Sequence, residues 1–90
     1  MYKPVRSFAN FEAELGRELV ACNLTPPEQR VMALVIRGLT NAQIARRLGL
    51  SRNTVRNRLA SCFAKLDVSR RTEAVFVLLA RSLSRSRTRA

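Results

Sequence analysis

The residues best suited to chemistry lie between Ser51 and Leu66. At helical spacing, Val55, Leu59, Cys62, Phe63 and Leu66 gather on one side of that segment. Opposite them stand Asn53, Asn57, Ala60, Ser61 and Ala64, with Arg56 on one flank and Thr54, Arg58 and Lys65 on the other. This outer strip is small and polar and holds no acid. Its side chains are those that read the edges of base pairs. Asn can bond adenine N6 and N7 together, Arg can do the same to guanine O6 and N7, and Ala can touch a thymine methyl. The strip predicts Arg56, Asn57 and Ala60 as base readers. Arg52, Thr54, Arg58, Ser61 and Lys65 are predicted to hold backbone phosphates, which fix position without reading sequence. Thr40, Arg46 and Arg47, in the segment before, join this phosphate set. A plain solvated helix face would also be polar. The missing acids and the charge around the strip favour the reading of DNA.

Other chemistry has little to work with. The chain has no His, which removes the commonest general base and the commonest metal ligand. Cys22 and Cys62 are far apart and neither belongs to a CxxC pair, so no zinc site is legible. Both are expected to be buried, reduced thiols. There is no phosphate-cradling glycine loop and no triad candidate. No catalytic residue, metal or cofactor is expected, and the chain is not read as an enzyme.

The charge agrees with a polyanionic partner. The 90 residues hold 17 Lys+Arg against 6 Asp+Glu, a net charge of +11. Residues 1–23 balance three basic groups against three acidic ones, residues 24–81 carry eleven against three, and residues 82–90 add three arginines. The excess therefore belongs to a central block and its tail, and double-stranded DNA is the leading partner. Hydrophobic residues make up 47%, too many for a disordered basic tail. The length suits one small domain, with no room for an added receiver or small-molecule sensing domain. No apolar stretch follows the N-terminal charges, and the apolar run Val75 to Ala80 is far short of a membrane span. These features predict a cytoplasmic, nucleoid-associated protein with neither a membrane partner nor a small-molecule ligand.

The elements that must position the strip are all helical. Phe8, Phe11, Leu15, Leu19 and Cys22 mark an amphipathic helix over 7–22, which Asn23 can end. Thr25, Pro26 and Glu28 form a helix start with a capping box. That helix should bury Val31, Leu34 and Val35, with Met32 beside them, and stop at Gly38. Thr40 and Gln43 start a short helix that turns Ile44, Ala45 and Leu48 inward and ends at Gly49. Ser51 caps the helix bearing the strip, and Asp67 can end it. Ser69 is expected to cap a last helix through about Ser82, leaving 83–90 as a disordered Arg-rich tail. The domain plan is thus an N-terminal helix over 1–23, a DNA-binding domain over 24–82, and the tail. Two helices joined as tightly as Leu48-Gly49-Leu50-Ser51 requires cross steeply, the helix-turn-helix arrangement whose second helix enters the major groove.

The segments Leu24-Thr25-Pro26-Pro27-Glu28, Gly38 to Ser51, Thr54-Val55-Arg56-Asn57-Arg58-Leu59, Lys65-Leu66-Asp67-Val68 and Arg71-Thr72-Glu73-Ala74-Val75 together resemble the LuxR/GerE-type helix-turn-helix domain of bacterial transcription regulators. Ala45, Gly49 and Val55, at offsets 0, 4 and 10, also fit the general helix-turn-helix signature. The resemblance implies an all-α, four-helix domain, here with an additional N-terminal helix, in which the helix over 51–66 reads DNA. It implies base contacts at Arg56, Asn57 and Ala60 and dimerisation through the last helix. It places the chain with the stand-alone, GerE-like minority. The run Val75 to Ala80 is apolar all round, so Phe76 and Val77 need cover beyond the core, and Val75, Phe76, Val77 and Leu79 are the expected homodimer contacts. The N-terminal helix either caps the domain or extends the dimer. A second reading is a small inhibitor or adaptor that heterodimerises with a longer LuxR-type regulator. RNA polymerase is a further candidate partner, and a sigma-factor region shares the Leu-Thr-Pro start but fits the later segments less well.

Overall fold

The computed structural model describes the backbone of residues 4–88 and the side chains of residues 13–84. Five helices follow one another: α1 (Pro4–Ala21), α2 (Pro26–Ile36), α3 (Asn41–Leu48), α4 (Arg52–Leu66) and α5 (Arg71–Thr88). Among the described residues there is no strand.

Local chemistry explains where the helices begin. At α2 the Thr25 hydroxyl accepts the Glu28 N–H, and the Glu28 carboxylate accepts the Thr25 N–H at 2.8 Å. Thr40 and Gln43 repeat this reciprocal arrangement at α3. Ser51 accepts the Thr54 N–H at α4. Each satisfies donors that the first helical turn leaves without an internal partner. The expected Ser69 cap of α5 is replaced. Glu73, reaching back one turn, accepts the N–H groups of Ser69 and Arg70 at 3.0 and 3.1 Å.

The chain turns by entering the left-handed region at φ 65 for Asn23, 68 for Gly49 and 58 for Asp67. Asn and Asp tolerate this region better than other non-glycine residues. Two boundaries differ from expectation. Helix α1 starts at Pro4, since Pro suits a first helical turn. Helix α5 runs to Thr88, so the backbone of 83–88 is helical where a disordered tail is expected. Extending a formed helix adds a hydrogen bond per residue without a new nucleation step, and Arg is a good helix former.

The core is one cluster to which all five helices contribute. Val31, Met32 and Val35 of α2 meet Ile44 and Ala45 of α3, Val55, Leu59, Cys62 and Leu66 of α4, and Ala74 and Leu78 of α5. Leu34 and Leu48 are half-buried at its edge. Each fully buried aliphatic side chain contributes roughly 1.5–3 kcal/mol. Leu15 and Leu19 bring α1 into this cluster, and α1 packs on α5 and α2 of its own domain. The side chains of Phe8 and Phe11 lie outside the described residues. No helix among the described residues is long and apolar enough to cross a membrane.

Candidate nucleic-acid interface

Helices α3 and α4 form one tight unit. Gly49 takes φ 68, ψ 37 as the C-cap of α3, and the Leu50 N–H returns to the Ala45 carbonyl at 2.8 Å. A side chain at position 49 would meet no clash, so glycine is needed there for its backbone alone. Ser51 then starts α4 at once. Its hydroxyl also donates to Thr54 Oγ1 at 2.9 Å, tying the first turn together.

The predicted base readers share an exposed face of α4. Arg56, Asn57 and Ala60 are exposed, as are Asn53 and Ala64. Arg56 donates to Asn53 Oδ1 at 3.2 Å, which orients the guanidinium along the helix. Of the predicted phosphate set, Arg46, Arg47 and Arg52 are exposed, and Thr54 and Arg58 are half-buried. Thr40 is exposed and caps α3. Arg46 and Arg47 line a shallow depression with Gly38, Leu39 and Gln43. A second depression runs between the start of α2 and α4, lined by Thr25, Pro27, Glu28, Thr54, Asn57, Arg58 and Ser61.

Two of the predicted phosphate holders, exposed Lys65 and half-buried Ser61, bond to a carboxylate of α2. Ser61 donates to Glu28 Oε2 at 2.5 Å, and Lys65 Nζ lies 2.7 Å from Glu28 Oε1. The reason is the crossing of α2 over α4, which brings a buried carboxylate to the side of α4 that bears them. Burial alone would raise the Glu28 carboxyl. The hydrogen bonds from Lys65, Ser61 and the Thr25 N–H, with the lysine charge, outweigh that and hold it at about 2. Below it, burial and the nearby Glu28 charge push the Cys62 thiol up to about 12, so it stays neutral. Both cysteines are free thiols, Cys62 buried and Cys22 only half-buried.

A second polar tie holds α5 to the α2–α3 loop. Arg71 donates to Asn41 Oδ1 at 2.6 Å and to the Leu39 carbonyl at 2.5 Å. On the side of α5 away from the core, Phe76 is 72% exposed. Val75 and Leu79 are half-buried and packed against the core, and Val77 is half-buried. Leu83, one i,i+7 step from Phe76 and absent from the expected contacts, is 56% exposed. At the α1–α5 seam, buried Glu18 receives Arg81 at 3.4 Å beside Cys22.

Residues 22–78 match the family described as bacterial regulatory proteins, luxR family. The chain is 44% identical over 64 residues to the DNA-binding transcriptional activator DevR/DosR of Mycobacterium tuberculosis, covering 71% of this chain and 29% of that protein. It is 47% identical over 53 residues to the probable transcriptional regulatory protein SgaR of Hyphomicrobium methylovorum, covering 59% and 25%. It is 44% identical over 54 residues to the transcriptional regulatory protein ComA of Bacillus subtilis, covering 60% and 25%. The chain thus spans between a quarter and three tenths of the length of these relatives. No solved structure matches it. With the family's match running from Cys22, just after α1, to Leu78 in α5, and with the α3–α4 unit at its centre, the chain belongs to the LuxR family of bacterial regulatory proteins.

Proposed function

We propose that the chain is a sequence-specific, DNA-binding transcription regulator that acts at the nucleoid as a homodimer, with α4 in the major groove. The observation that carries this reading is the exposed, acid-free face of Asn53, Arg56, Asn57, Ala60 and Ala64, presented directly after the Gly49 turn. Arg56, Asn57 and Ala60 read bases. Thr40, Arg46, Arg47, Arg52, Thr54 and Arg58 hold phosphates on either side. A relative named for DNA binding supports the assignment. The exposed Phe76 and Leu83 on α5 supply an apolar surface for a second copy, and two-fold protein symmetry suits a palindromic site.

Selection from a randomised duplex library near physiological salt tests this, because weak phosphate binding is suppressed there. The expected result is a palindrome with half-sites about one helical turn apart. A single half-site would keep DNA reading and remove the homodimer. No enrichment would overturn the regulator reading and favour the adaptor. The same α5 surface would then serve a longer regulator of the family.

A further inference from the structure

We infer that Glu28 is a specificity-determining positioning residue: it sequesters Lys65 and Ser61 from the DNA backbone and fixes the roll of α4. The inference rests on the proposed DNA reading. Asn57, Ser61 and Lys65 follow one another at i, i+4 and i+8, so they share one edge of α4. The upper member, Asn57, is exposed and faces the depression between α2 and α4. The lower two end on a single buried carboxylate, Ser61 at 2.5 Å and Lys65 at 2.7 Å. That carboxylate is itself held by the Thr25 N–H at 2.8 Å, on the capped first turn of α2.

Two consequences follow from this geometry. The first concerns charge. A lysine free on this helix would add a phosphate contact of equal strength on every sequence, because phosphates carry no sequence information. Paired with Glu28, Lys65 adds none. The protein keeps its base contacts and forgoes one unit of indiscriminate attraction, so the ratio of specific to non-specific binding rises. The second concerns position. A bidentate contact from Asn57 or Arg56 to a base edge needs the helix at one rotation about its axis. The Glu28 tether, one turn and more below Asn57, opposes that rotation.

The test measures log K against log salt for binding to a random-sequence duplex, for the wild-type chain, Glu28→Gln, Lys65→Met and Glu28→Gln/Lys65→Met. Circular dichroism establishes that each is folded. Releasing Lys65 in Glu28→Gln should steepen the slope by up to about 0.9 and tighten non-specific binding about fivefold at 0.15 M salt. The double variant should return to the wild-type slope. Lys65→Met alone should leave the slope unchanged. It supplies the independent measurement if Glu28→Gln does not fold. Preference for the selected site over the random duplex should fall in Glu28→Gln. A Lys65→Met slope shallower by about 0.9 would show the lysine on phosphate and overturn the inference. An unchanged slope in folded Glu28→Gln would overturn it equally. Both results leave the DNA-reading assignment standing. A wild-type chain that binds no duplex would overturn the assignment and the inference together.

Discussion

Glu28 couples a helix cap to a helix crossing, and its ionisation shows how much folding leans on it. Its carboxyl is held at about 2 against an ordinary 4.5. A group whose folded value lies below its unfolded value stabilises the fold above the unfolded value and loses that contribution as pH falls toward the folded one. Stability should therefore decline between about pH 4.5 and pH 2. Denaturant unfolding at a series of pH values should show Glu28→Gln less stable than wild type at pH 7 by about 1–2 kcal/mol, with the gap closing below pH 4.5. An equal gap at every pH would count against the charge. The proposed base readers have a different signature. Arg56→Ala and Asn57→Ala should each weaken the selected site by about 1–3 kcal/mol and relax preference at one base position. Arg46→Ala or Arg52→Ala should weaken all sequences alike. Quantitative binding to single-base variants of the selected site distinguishes the two patterns.

At the scale of the element, the α3–α4 unit depends on a backbone conformation that side chains resist. Gly49→Ala meets no clash, yet holds an L residue at φ 68, at a cost of roughly 1–2 kcal/mol. Thermal unfolding should show that loss, and DNA binding should fall further if the residual fold shifts α4. The starts of α2, α3 and α4 are legible in the sequence because each cap and its partner lie three residues apart. The inward faces are legible because hydrophobic spacing repeats with the helix. The ties between helices are not. Ser61 lies 33 residues from Glu28, Lys65 lies 37, and Arg71 lies 30 from Asn41. Nothing in local spacing brings them together. That is why the bonds of Ser61 and Lys65 to Glu28 are not legible in the sequence. The start of α5 differs from the sequence expectation for a related reason. Ser69 has the right residue type, but the Glu73 carboxylate takes both backbone donors. The full length of α5 is not legible because the largely polar residues after Ser82 offer no core signal, although they can extend a helix already formed.

Across the whole molecule, α1 and α4 share α2 and α5 as neighbours, and α4 alone of the two also packs on α3 in the same unit. Helix α1 covers parts of α5 and α2, while α4 packs on α2, α3 and α5. Ala74, Leu78 and Ser82 of α5 are fully buried, so that face is already occupied within the chain. The exposed face of Phe76 and Leu83 is the one the proposed homodimer would use. Phe76→Glu should leave the thermal transition nearly unchanged, because the side chain is 72% exposed, and should convert dimers to monomers in sedimentation. Affinity for a palindromic site should then fall at least tenfold, while a half-site is bound as before. Unaltered association would remove this face as the contact. The capped, closely joined α3 and α4 have one more consequence, which is kinetic. On the proposed reading, the surface that meets DNA is already formed in the free chain, so binding need not wait for a helix to form. The arrival rate is then set by diffusion and by the long-range pull of Arg46, Arg47 and Arg52, and it drops as salt rises. Differences among operators should then appear in how long the protein stays: the residence time at a site, rather than the frequency of visits, would carry the sequence information.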